Sequence, residues 1–258
     1  MSNEKNAPFI LSTSIMLVAK RYSMLLLTTF ILTGCAAAGV KSDKASSVNA
    51  DLGIRYLQSG RLQLANDKLT KALEQNPNNP TSNHYYAILQ QQLGDKAKAG
   101  QYFNRAVKLN PKDPEIRNNY GSFLCDNGQV QAAIQQFTTA IKDPLYSTPE
   151  FAYTNAGICY RKTGNDTKAE ESFRSALKKR NAFPSALLEM ASLYNDRKIY
   201  PRAQAFMSRY ESVGKSTPKA LELCTIINQK MNDIAKSESC KSALLRLFPD
   251  SSEAQRIN

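Results

Sequence analysis

From residue 46 onward, small, large apolar and polar positions recur along the chain with a fixed period. Gly60, Gly94 and Gly128 are 34 residues apart, and Gly164 follows after 36. Ala65, Ala99, Ala133, Ala169 and Ala203 form a second column, and Leu69, Phe103, Phe137, Phe173 and Met207 a third. Ala72, Ala106, Ala140 and Ala176 keep the same spacing, as do Gly53, Ala87, Gly121, Gly157 and Ala191. The pattern predicts two helices per unit. A large apolar residue four positions after an alanine lies on the same helical face, and a small residue on the first helix lets the second approach closely. Glycine between them allows the left-handed turn that ends the first helix. Pro77 and Pro111 close the first two units, because proline cannot continue a helix. A single pair cannot bury its apolar face, whereas a stack can.

These columns resemble the tetratricopeptide repeat (TPR). The resemblance implies an all-α fold, a tetratricopeptide-repeat superhelix of about six antiparallel helix pairs. The array spans residues 46–251, with units at 46–79, 80–113, 114–147, 150–183, 184–217 and 218–251 and a tail at 252–258. Two extra residues fall near Asp143-Pro144-Leu145-Tyr146, a wider turn between units three and four. The sixth unit diverges, with Thr225, Ser237 and Lys241 at repeat columns, as suits a terminal capping unit with a more polar outer face.

The beginning of the chain has a different pattern. Residues 24–32 are uncharged and mostly apolar, preceded by Lys20 and Arg21. This is the arrangement of a signal peptide over residues 1–34, too short to span a bilayer. It ends in Leu32-Thr33-Gly34-Cys35, which resembles the lipobox of bacterial lipoproteins. That resemblance implies diacylglyceryl transfer to the Cys35 thiol, cleavage before it and acylation of the new amine, palmitate included. Ala36, where aspartate would favour the inner membrane, points to the outer membrane, with the lipid-anchored chain facing the periplasm. Met16 is an alternative start that gives a leader of ordinary length. Residues 35–49 read as the lipidated cysteine and a flexible tether rich in Ala, Ser and Lys.

Charge changes this picture little. The net charge is +12, of which Lys5, Lys20 and Arg21 against Glu4 place +2 in the leader and leave +10. The basic residues are scattered, with Lys178-Lys179-Arg180 the longest run, so nucleic-acid binding is not expected.

Four cysteines remain after Cys35, and four allow three pairings. In the repeat register Cys125 and Cys159 lie on neighbouring first helices of units three and four, and Cys224 and Cys240 on the two helices of unit six. The expected disulfides are Cys125–Cys159 and Cys224–Cys240, the alternative being buried free thiols. No CxxC or Cys–His spacing suggests a metal, and no metal or cofactor is expected.

Several segments are more specific than the repeat: Asn118–Leu124 reads NNYGSFL, Asp143–Tyr146 reads DPLY, Asn155–Cys159 reads NAGIC and Ala186–Tyr194 reads ALLEMASLY. With the lipobox and the cysteines between units, the chain resembles the type IV pilus biogenesis and stability lipoproteins, the PilF/PilW family. That resemblance implies a pilotin role: binding the type IV pilus secretin and promoting its outer-membrane localisation and multimerisation.

In a TPR stack the first helices line the concave face. The candidate partner-binding groove is Ala50, Ile54, Leu57, His84 and Ile88, in which Ile54, Leu57 and Ile88 offer apolar contacts to a partner segment, the alternative being that these three pack beneath the tether or on neighbouring helices. Asn118, Ser122, Asp126, Thr154, Arg161 and Lys162 would make its continuation polar. His84 is the single histidine, with no nucleophile placed beside it, and no Walker, dinucleotide or HExxH motif occurs. No catalytic residue and no small-molecule substrate are expected. The competing reading is a TPR lipoprotein adaptor for peptidoglycan hydrolases or outer-membrane protein assembly.

Overall fold

The computed structural model describes residues 43–257, so the leader, Cys35 and residues 36–42 lie outside the described residues. Within them the regular structure is thirteen helices and no strand. Helix α1 covers 43–58, followed by α2 (Leu62–Gln75), α3 (Pro80–Gln92), α4 (Lys96–Leu109), α5 (Pro114–Asp126), α6 (Val130–Ile141) and α7 (Pro149–Lys162). Then come α8 (Asp166–Lys179), α9 (Pro184–Asp196), α10 (Tyr200–Glu211), α11 (Pro218–Lys230), α12 (Ile234–Leu247) and the short α13 (Ser252–Ile257). The chain forms two compact units, divided between Leu89 and Gln90.

Local chemistry sets the helix ends. Pro114, Pro149, Pro184 and Pro218 open their helices, where a missing N–H costs nothing and φ is already helical. Asp95, Asn165 and Asp233 cap second helices by accepting from the backbone N–H three residues on, each cap contributing about 1 kcal/mol. The turn inside each pair needs one left-handed residue. Gly60, Gly94, Gly128 and Gly164 provide it, and in the last two pairs Lys198 (φ 59°) and Asn232 (φ 63°) take the place.

In the second unit α5 pairs with α6, α7 with α8, α9 with α10 and α11 with α12. The core between them is the repeat columns. Ala133, Phe137, Ala140, Ala169, Phe173, Ala176, Ala203 and Met207 are all buried. Gly121 and Gly157 sit against phenyl rings: a Cβ on Gly121 would lie 2.7 Å from Phe137 Cε1, and one on Gly157 2.4 Å from Phe173 Cε1. In the first unit, a Cβ on Gly53 would likewise lie 2.6 Å from Leu69 Cγ. The small first-helix residue is therefore the socket for the large second-helix residue.

Three sequence expectations need correction. Residues 43–45, read as tether, and 46–49, read both as tether and as the start of unit one, all belong to α1. Ser46, Ala50, Gly53 and Leu57 form one buried face at helical spacing, and Ser46 Oγ donates to Ala72 O at 2.8 Å. Residues 43–45 carry no apolar residue but Ala45 to mark the period. Residues 252–257, read as tail, form α13, which packs on α11 through buried Ala254 and a two-pronged bond from Arg256 to Glu222 (2.7 and 2.9 Å). In unit six, the polar substitutions lie within the hairpin. Thr225 and Ser237 are buried, and Ser237 Oγ donates to Thr225 O at 3.0 Å, so a hydrogen bond replaces small-residue packing.

The joint between units three and four runs over residues 142–148. Asp143 Oδ1 accepts from Leu145 N (2.8 Å), and the resulting turn tucks Tyr146 inward while Leu145 stays 88% exposed. Burial pushes the Tyr146 hydroxyl up to about 12.

Gly157→Ala should destabilise the protein by about 1–3 kcal/mol, because Phe173 has no room to yield a methyl. Thermal unfolding checks this; an unchanged midpoint would mean the hairpin is not packed as described.

Candidate functional site

The first helices carry the residues that could meet a partner. In the first unit, Ala50 (2% exposed), Leu57 (6%) and His84 (3%) are buried, which corrects their assignment to an open groove. Leu57 packs with Ala65, Leu69 and Leu89, and His84 lies against Tyr85 with ring centroids 4.8 Å apart. Ala50 and Leu57 lie seven residues apart on the face of α1 that also buries Ser46 and Gly53, and that face packs inward. Ile54 and Ile88 remain half-exposed, so these two candidates stay available.

In the second unit the polar character expected of the groove takes the form of pairs between successive first helices. Asn155 of α7 donates to Asn118 Oδ1 of α5 (3.0 Å), and Lys162 pairs with Asp126 (2.7 Å). Arg161 reaches Glu189 (3.2 Å), Ser192 (3.1 Å) and Asp196 on α9, while Lys219 of α11 pairs with Glu189. Thr154 is the exception: it is buried, and its hydroxyl bonds the Glu150 carbonyl.

The structure joins Cys125 of α5 to Cys159 of α7, with Cα atoms 5.8 Å apart, and Cys224 of α11 to Cys240 of α12, with Cα atoms 6.0 Å apart. The first link bridges the two units flanking the 142–148 joint. Glu211 approaches the second, 3.4 Å from Cys224 Sγ, and is paired with Lys236 at 3.2 Å. Glu211, Cys224 and Cys240 are the one group of possible metal ligands among the described residues. Their sulfurs are bonded to each other, which leaves a carboxylate alone.

An ionic cluster between α8 and α9 was not visible in the sequence. Glu170 accepts from Tyr194 Oη (2.7 Å), Arg174 Nη2 (2.8 Å as an ion pair) and Arg197 Nη1. Burial works against ionisation of Glu170, but the hydrogen bonds from Tyr194, Arg174 and Arg197 outweigh it and hold the carboxyl at about 2. Only the spacing of the two helices in the stack brings residues 170, 174, 194 and 197 together.

The architecture and its repeat columns define a tetratricopeptide-repeat protein. Tetratricopeptide-repeat profiles match residues 56–118, 102–135 and 121–186. The chain is 28% identical over 245 residues to the type IV pilus assembly protein PilF of Pseudomonas aeruginosa, covering 92% of this chain and 97% of that one. The solved structure of Pseudomonas aeruginosa PilF superposes with a TM-score of 0.73 at 27% identity, covering 84% of this chain and 98% of its own. The structure of PilW, described as a widely conserved type IV pilus biogenesis factor, gives a TM-score of 0.74 at 28% identity and covers 82% and 97%. The chain belongs to the tetratricopeptide-repeat proteins and is similar along nearly its whole length to PilF and PilW.

Two outcomes test this geometry. Reducing the two disulfides, which close separations of 34 and 16 residues, should cost roughly 3–4 kcal/mol each on the chain-entropy account. Urea unfolding with and without reductant measures it, and coincident curves would show the links to be absent or idle. Glu170 is depressed in the folded state, so its contribution is present above its ordinary value of 4.5 and is lost as pH falls towards about 2. Glu170→Gln should flatten the acid limb of stability against pH; an unaltered limb would discount the cluster.

Proposed function

We propose that this chain is a type IV pilus biogenesis scaffold, anchored in the outer membrane through lipid on Cys35, that binds the pilus secretin and promotes its localisation and multimerisation. The observation that carries this reading is the end-to-end similarity to PilF, 92% of one chain against 97% of the other. A partial match would reflect only the shared repeat.

The physical logic runs from anchor to array. Several acyl chains hold a protein firmly, since each buried methylene contributes about 0.8 kcal/mol. Among the described residues no helix is long and apolar enough to cross a membrane; the attachment proposed is the lipid on Cys35. The acylated cysteine precedes the start of α1 at residue 43 by few residues, which keeps the TPR face close to the membrane surface where a secretin is inserted. Half-exposed Ile54 and Ile88 on first helices offer apolar contacts to a partner segment.

Deleting the gene should abolish secretin multimers resistant to detergent while cell shape and other outer-membrane proteins stay normal. A Cys35→Ala chain should leave the outer-membrane fraction and restore multimers poorly. Normal multimers in the deletion strain would refute the reading. Altered cell shape with intact multimers would instead favour an adaptor for peptidoglycan hydrolases.

A further inference from the structure

Between α5 and α7, beside the Cys125–Cys159 link, the first-helix face holds a cavity of about 210 Å³ lined by Ser122, Cys125, Asp126, Phe137, Asn155 and Ile158. Small-molecule sites occupy about 300–1,000 Å³, so this one is the size of a side chain. Its floor is apolar: Phe137 is buried, Ile158 belongs to the partly buried flank of the main core, and the cysteine sulfurs are bonded to each other. Its rim is polar, formed by half-buried Ser122 and Asn155 and by exposed Asp126, whose charge is matched by Lys162 at 2.7 Å.

The surrounding charges narrow the choice of occupant. Asp126 is paired with Lys162, Arg161 with Glu189 and Asp196, and Lys219 with Glu189. Three cations therefore face three carboxylates, and a charged segment entering here would displace one ion pair to make another. The unspent recognition chemistry is hydrogen bonding and apolar contact. The Asn155 amide is held in one orientation by its bond to Asn118 Oδ1. A side-chain amide so fixed matches the C=O and N–H of an extended backbone. The disulfide holds α5 and α7 together with its Cα atoms 5.8 Å apart, which sets the width of the cavity mouth.

We propose that this cavity receives one aliphatic side chain of an uncharged, extended segment of the partner protein, with Asn155 and Ser122 holding that segment's backbone. The proposal rests on the secretin reading for the partner's identity and adds where and by what chemistry it is held. The site lies in the second unit, separate from Ile54 and Ile88 of the first.

The test uses the full oxidised chain and the purified periplasmic region of the pilus secretin, with affinity read by surface binding. Ile158→Arg and Ser122→Trp should each weaken binding at least about tenfold, as loss of a central anchor does. Ile234→Arg, which charges an exposed apolar position on α12, should bind as wild type. Ser122→Trp fills the cavity from a half-exposed position and serves as the independent block should Ile158→Arg unfold. Wild-type affinity should change less than about threefold between about 0.05 and about 0.5 M NaCl, since no net charge is exchanged. Unchanged binding by both groove variants overturns the site, and a steep loss with salt overturns the uncharged occupant. A wild-type chain that binds no secretin overturns the functional reading instead, and this partner assignment with it.

Discussion

Everything in this fold depends on how closely two helices can approach. In all but the last pair a glycine or alanine on the first helix stands opposite a leucine, phenylalanine or methionine of the second, and at Gly121 and Gly157 the backbone and the ring are already in contact. Interiors packed to this density admit no extra methyl without displacement. Where the contact recurs, it sets how closely the paired helices approach and so positions the first helices. Their positions in turn determine which side chains on successive first helices can pair. The polar ladder of Asn118–Asn155, Asp126–Lys162 and Arg161–Glu189 follows from it.

The array departs from strict repetition at two places, and each has its own reinforcement. At the joint over residues 142–148 the connection is longer, and a disulfide ties the first helices on either side. In the last hairpin the small residues give way to Thr225 and Ser237, and a hydrogen bond plus a second disulfide replace packing. Helix α13 then covers part of α11, closing an end that would otherwise be exposed. A one-dimensional stack is weakest where neighbour contacts are weakest, and cross-links at those points restore what packing gives elsewhere.

Most of the fold was legible because the period is long, exact columns of small residues are rare, and each column has a mechanical cause. The cysteine positions were readable for the same reason: register places residues on faces. What escaped was polar. Residues 43–45 extend α1 beyond the start of the repeat with no apolar residue but Ala45 to mark them, and Ala254 alone is too little to announce α13. The Glu170 cluster needs residues from two helices whose approach the sequence does not display. The candidate groove was only half legible. Position on a first helix does not separate Ile54, half-exposed, from Leu57, buried against Leu69 and Leu89. The difference lies in what the neighbouring helix presents. The cavity beside Cys125 was invisible, because it is a gap between side chains on three helices.

The central claim is that a partner in pilus biogenesis is held on the first-helix face of the array. Hydrogen exchange of the full chain with and without the purified periplasmic region of the secretin measures this directly. The account predicts new protection concentrated in α5 and α7, with α6 and α8 exchanging as in the free protein. Protection confined to α6 and α8, or to α12 and α13 alone, would contradict it.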